Sequence, residues 1–132
     1  MVVLDEHLVR EVGRLACRYP GLRLLILFGS RARGDAHAGS DWDFGCLADG
    51  HFDLFALLAE LVSVLGTDRV DLVDLARAGG QVRFRAARDG HLLYAVDEAV
   101  FPRFWLAAVS FWCEAGPVIR AGYADVLAGL RR

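Results

Sequence analysis

The sequence predicts a single domain of the α/β (α+β) class, with about four strands alternating with helices. Three observations carry that prediction. An unbroken apolar run, Leu24 to Phe28, has the length of a buried strand and stops at Gly29-Ser30. Stretches with helical periodicity, residues 3–18 and 52–65, alternate with it and with further strand-like stretches. A strongly aromatic helical stretch, residues 97–114, follows the last strand. At 132 residues the chain is long enough for one core without disulfide or metal staples.

Residues 3–18 read as an amphipathic helix, with Val3, Leu4, Leu8, Val12, Leu15 and Ala16 on one side. Tyr19-Pro20-Gly21 ends it, because proline cannot continue the hydrogen-bond ladder. The first strand covers 22–28, and a short helix runs from Ser30 through Ala32. Gly34 to Gly39 is a loop that carries His37, expected to be flexible and solvated. The second strand starts near Asp41 and runs to Leu47. A helix over 52–65 has Asp53 as its cap, with Leu54, Phe55, Leu58, Leu61, Val62 and Leu65 inward. Residues 69–75 form the third strand, Gly79-Gly80 opens an arginine-rich helix through Arg88, and 91–96 is a short strand in which His91 and Tyr94 are structural. Phe101, Phe104, Trp105, Ala108, Val109 and Trp112 recur at helical spacing and form one apolar face. Gly116-Pro117 breaks that helix, and a last one covers 118–130.

Apolar residues make up 55% of the chain, and the mean hydropathy of +0.35 is high for a small monomer. The aromatic helix carries Leu106 and Phe111 off its main face, so it is expected to bury against another chain, a partner or a second copy. Net charge is −2, which leaves no basic footprint for direct nucleic-acid binding. All fifteen basic residues are arginine, which rules out lysine chemistry. Arg77, Arg83, Arg85 and Arg88 read as a solvated helix face. Cys17, Cys46 and Cys113 are too widely spaced for a zinc site and read as buried thiols of a reducing compartment. Asp5 and Glu6 interrupt any secretory signal, and no apolar run is long enough to span a bilayer. A cytoplasmic protein without membrane contact is expected.

The functional stretch is LRLLILFGSRARGDAHAGSDWDF, beginning at Leu22. Asp41 and Asp43 flank Trp42, so an extended segment puts both carboxylates on one face. Alone, such a pair reads as two solvated turn acids. Opposite a Gly29-Ser30 turn it reads as a cation site beside a phosphate site.

Gly29-Ser30, Arg33-Gly34 and Ser40-Asp41-Trp42-Asp43 resemble the GSxxRG…SDxD signature of the nucleotidyltransferase superfamily that includes DNA polymerase β. At this length the chain most resembles the minimal nucleotidyltransferase (MNT) antitoxins paired with HEPN ribonuclease toxins. The resemblance implies a polymerase-β-like fold, a small mixed sheet flanked by helices. Its core would cover about 20–96, with 97–132 as a helical region forming an interface. It implies two Mg²⁺ ions about 4 Å apart, held by Asp41, Asp43 and a third carboxylate on a neighbouring strand. Asp71 matches the family's VDxV at Val70-Asp71 and takes that role, together with the proton of the attacking hydroxyl. Asp74 lies on the opposite strand face and Asp68 in a turn. Gly29 and Ser30 would hold the β- and γ-phosphates of ATP, and Arg33 would clamp a phosphate or pair with the carboxylates, whereas Arg31 reads as a surface residue. The implied reaction moves AMP from ATP to a tyrosine of the HEPN toxin and silences it. Two rivals are a stoichiometric, non-catalytic toxin binder and an aminoglycoside-type small-molecule nucleotidyltransferase.

Overall fold

A computed structural model describes residues 5–114. Along them run α1 (Glu6–Cys17), β1 (Leu22–Phe28), α2 (Ser30–Arg33), β2 (Trp42–Ala48), α3 (Leu54–Leu65), β3 (Val70–Asp74), α4 (Gly80–Asp89), β4 (His91–Ala95) and α5 (Val100–Glu114). The alternation expected from periodicity is present, with each boundary shifted by three residues or fewer. The expected helix over 118–130, and Val3 and Leu4 of the first helix, lie outside the described residues.

The strands form one mixed sheet in the order β3-β2-β1-β4. β1 runs antiparallel to both β2 and β4, while β2 and β3 are parallel. A parallel pair needs a crossover, and α3 supplies it. β1 is inside the sheet and covered on both faces, which is why it reads as a continuous apolar run with no polar alternation. Leu25 and Leu27 of β1 pack with Val12, Leu15, Phe44, Cys46, Leu57 and Leu61, between the sheet and α1 and α3. Leu24, Ile26 and Phe28 pack on the other face with Ala86, Ala87, Phe104 and Ala108 of α4 and α5. The Asp53 carboxylate caps α3 by accepting the Ala56 N–H at 3.0 Å, as expected.

Three expectations are corrected. Phe55, placed inward by the sequence, is 81% exposed, while Leu57 is fully buried. α3 is apolar around most of its circumference, so periodicity alone does not choose its inner stripe. Trp105 is likewise exposed, because α5 buries the narrow i, i+4 stripe Val100, Phe104, Ala108 and Trp112. Trp112 stacks on Phe84 with ring centroids 4.8 Å apart. Of the cysteines only Cys46 is buried; Cys17 and Cys113 face solvent on helix surfaces. Burial pushes the Cys46 thiol up to about 12, so it behaves as a small hydrophobe.

Phe44 is 1% exposed and joins β2 to the layer formed by α1 and α3. Phe44→Ala should cost about 3–5 kcal/mol. Urea unfolding would show this as a lowered midpoint with an unchanged slope.

Candidate active site

The site forms where β1 ends. Phe28 is the register partner of Asp43 in β2, and Asp43 is in turn the register partner of Asp71 in β3. The end of β1 and two aspartates therefore line up across three strands. Gly29 follows with φ +76°, a left-handed conformation that disfavours any side chain. A Cβ at Gly29 would also overlap the Asp43 Oδ2. The glycine is thus required twice, by its backbone angle and by the carboxylate against it.

α2 begins immediately after. The Ala32 and Arg33 N–H groups both donate to the Gly29 carbonyl, at 3.1 and 3.0 Å. The N–H groups of Ser30 and Arg31, in the first turn, have no intrahelical acceptor and point off its start.

Asp43 is half-buried, whereas Asp41 and Asp71 are exposed. Burial raises the Asp43 carboxyl above its ordinary range, and the neighbouring charges of Asp71 and Asp41 raise it further; Arg85 and Arg33 oppose the shift. Asp43 therefore feels the charge of both other predicted carboxylates. Among the described residues, however, no three acidic, imidazole or thiolate groups are gathered closely enough to hold a metal ion on their own. Asp74 serves the strand end: its carboxylate accepts the Ala76 N–H at 3.0 Å and lies 3.8 Å from Arg77.

Arg31 is not a surface residue. Its guanidinium lies 4.5 Å from the centroid of the Trp42 ring and donates to the Ser40 carbonyl at 3.0 Å. Arg69 donates to the Gly39 carbonyl at 2.9 Å. The His37 N–H donates to the Ser40 Oγ at 2.9 Å, and the Gly39 N–H donates to the His37 Nδ1 at 3.1 Å. The loop expected to be flexible is thus tied down on the approach to Asp41. Trp42 points away from the carboxylates and packs against the α1–α3 layer.

Arg33, expected at a phosphate, is engaged by Asp89 at 3.1 Å and Asp35 at 3.3 Å. His91 Nε2 donates to the Ala32 carbonyl at 3.1 Å, in keeping with its expected structural role. Arg83 donates to the Leu75 carbonyl and stacks on Phe104, and Arg88 pairs with Asp89, so α4 is not simply a solvated charged face. Arg85 acts on Asp43 from α4, a role the sequence did not single out. A groove of about 570 Å³ between β4 and α5 is lined by Leu92, Tyr94, Phe101 and neighbours, and by none of the three aspartates. Asp41 and Asp71 stand on open surface instead.

The raised Asp43 carboxyl has a consequence for stability. Stability linked to its proton is fully present below the ordinary aspartate range and is lost as pH rises through the folded value. Asp43→Asn keeps the neutral form at every pH. At pH 7, without nucleotide or metal, it should raise Tm by about 1–4 °C, a gain that disappears in melts below the ordinary aspartate range.

A family model described as "Polymerase beta, Nucleotidyltransferase" matches residues 11–99. The protein adenylyltransferase MntA of Aphanizomenon flos-aquae (strain 2012/KM1/D3) is 34% identical, over 73% of this chain and 73% of that one. The protein adenylyltransferase MntA of Shewanella oneidensis is 37% identical, over 74% of this chain and 70% of that one. A crystal structure of a toxin–antitoxin with AMP-PNP contains a similar chain, with TM-score 0.68 and 26% identity over 98% of this chain and 100% of that one. The matched region runs from α1 through β4 and includes the glycine turn and all three aspartates. The chain belongs to the polymerase β nucleotidyltransferase family.

Proposed function

We propose that the chain is a Mg²⁺-dependent protein adenylyltransferase that acts as an antitoxin, moving AMP from ATP to a tyrosine hydroxyl of a cognate HEPN ribonuclease toxin. The observation that carries this reading is the alignment of Asp43 and Asp71 with the end of β1, where Gly29 lies against the Asp43 carboxylate. The names of the two relatives support AMP as the group transferred. The toxin–antitoxin structure with AMP-PNP supports a nucleotide and a toxin as partners.

The donor set fits Mg²⁺, which takes hard carboxylate oxygens and leaves positions for water and substrate phosphates. Burial raises Asp43 most, and the charges of Asp71 and Asp41 raise it further; a bound cation would offset that second contribution. Asp41, Asp43 and Asp71 would hold two such ions. When bound, they supply charge neutralisation for the triphosphate and for the departing pyrophosphate.

The chain's own residues do the rest. The Gly29-Ser30 turn offers its N–H groups and hydroxyl to the β- and γ-phosphates. Asp71 accepts the proton of the attacking hydroxyl. That oxygen bonds to the α-phosphorus, the bond from the α-phosphorus to the bridging α,β-oxygen breaks, and pyrophosphate leaves. Catalysis is positioning and charge stabilisation, with no covalent enzyme intermediate. Exposure of Asp41 and Asp71 suits a macromolecular acceptor better than a small molecule that needs an enclosing pocket.

The exposed side of α5 is the surface we assign to the toxin. Trp105 is 43% and Leu106 59% exposed, an apolar pair outside the stripe that the fold buries. This surface also favours a second reading, in which the protein neutralises its partner by binding alone. Two variants separate the readings. Asp41→Asn/Asp43→Asn should cut AMP incorporation into the co-expressed toxin by about 10³-fold or more, read by intact mass, and the toxin should stay active at equal expression. Full neutralisation by that variant would leave binding alone as the mechanism. Trp105→Glu/Leu106→Glu should weaken the complex by roughly 10–100-fold in calorimetry while the thermal stability of the isolated protein is retained.

A further inference from the structure

α2 is a single turn of four residues, of which only Ala32 is buried. A turn this short has no stability of its own. Yet it carries the Ser30 and Arg31 N–H groups that the nucleotide reading sets against the phosphates. Something outside the turn must fix it. Two polar contacts from the α4–β4 junction reach its far end. The Arg33 Nη1 donates to the Asp89 Oδ2 at 3.1 Å, and His91 Nε2 donates to the Ala32 carbonyl at 3.1 Å. Ala32 has one of the carbonyls that a helix end leaves without an intrahelical donor.

The junction is built for this. The Asp89 side chain is 7% exposed and is held from its other side by Arg88, at 2.9 Å. Burial alone pushes the Asp89 carboxyl up, but the hydrogen bonds from Arg88 and Arg33 outweigh burial and hold it below its ordinary range. Asp89 therefore stays ionised and keeps both arginines. Gly90 lets the chain turn tightly between the two contact residues, since a Cβ there would overlap the Ala86 carbonyl oxygen. β4 fixes the junction laterally, with His91 in register with Leu27 of β1.

We infer that Asp89 and His91 are positioning residues for nucleotide binding: they lock α2 through Arg33 and the Ala32 carbonyl, so that Arg33 acts as a strut of the turn. The inference rests on the nucleotide reading of the Gly29-Ser30 turn. It differs from a direct role for Arg33 in one decisive way. If Arg33 acts on phosphate alone, removing Asp89 frees it and leaves nucleotide affinity intact or improved. If Arg33 is a strut, losing either partner has the same effect.

The test uses the full chain and four variants: Arg33→Ala, Asp89→Asn, the double variant and His91→Leu, with His91→Gln as the conservative control. Two quantities are read, backbone amide exchange of residues 30–34 without ligand and the Kd for Mg·ATP. Each single variant should speed exchange in that segment and raise Kd by roughly 5- to 30-fold. The double variant should be no worse than the worse of the two singles. His91→Gln keeps a donor for the Ala32 carbonyl and should restore most of what His91→Leu loses. A weakened Kd in Arg33→Ala with an unchanged or lowered Kd in Asp89→Asn overturns the proposal. So does unchanged exchange of residues 30–34 in Asp89→Asn. If the wild type binds no Mg·ATP, the nucleotide reading falls and the exchange measurement alone decides the strut. Should Asp89→Asn fail to fold, Arg33→Ala and Asp89→Glu carry both measurements.

Discussion

The contact between the Asp43 carboxylate and the bare Cα of Gly29 organises this protein. It sits at the end of a strand that is buried from Leu24 to Phe28, so its position inherits the rigidity of the core. Every other feature of the site is placed relative to it. Asp71 arrives through the parallel register of β2 and β3, and Asp41 through the loop that precedes β2. The turn that would meet a triphosphate is continuous with Gly29 itself. One close approach thus sets the distance between a negatively charged edge and a donor-rich turn, the two halves that nucleotidyl transfer needs.

α2 makes that contact adjustable in principle and fixed in fact. Its two arginines point in different directions and are both engaged. Arg31 closes over Trp42 and the carbonyls of the 38–40 segment, fixing the approach to Asp41. Arg33 reaches the α4–β4 junction. A turn with one buried side chain is therefore held by charge-assisted hydrogen bonds to backbone and carboxylate groups on two sides. Bidentate, planar donors suit this better than lysine would, and the chain has only arginine to use.

The legible and illegible parts of the sequence divide along physical lines. Gly29, Asp41 and Asp43 stood out because backbone geometry and chemistry call for particular residue types at short, fixed spacing, whereas Asp71, far along the chain, stood out through the family resemblance alone and meets Asp43 only through the strand register. β1 was legible because burial on both faces leaves an uninterrupted apolar run. The contacts of Arg31 and Arg33 in the fold were not legible, since an arginine after a turn looks the same whether it faces solvent, phosphate or a carboxylate. The partner of Arg33 lies 56 residues away and that of the Ala32 carbonyl 59 residues away, and no local pattern links them. Periodicity placed α3 and α5 correctly but not their orientation: both carry apolar residues on more than one side, and only the tertiary fold chose Leu57 over Phe55 and Trp112 over Trp105.

The half-buried Asp43 carboxylate sets a tension that the fold resolves by division of labour. Burying a carboxylate beside two like charges opposes folding in the absence of a cation, and the raised Asp43 carboxyl records that cost, burial first and the neighbouring charges second. A site of this kind cannot be stabilised by its own residues, so its rigidity must come from elsewhere. Here it comes from the apolar layers on the two sides of β1 and from ion pairs at the far end of α2. Separating the groups that hold the geometry from the groups that bear the charge leaves Asp41 and Asp71 exposed. They remain free to meet a ligand and an acceptor that arrive from solution.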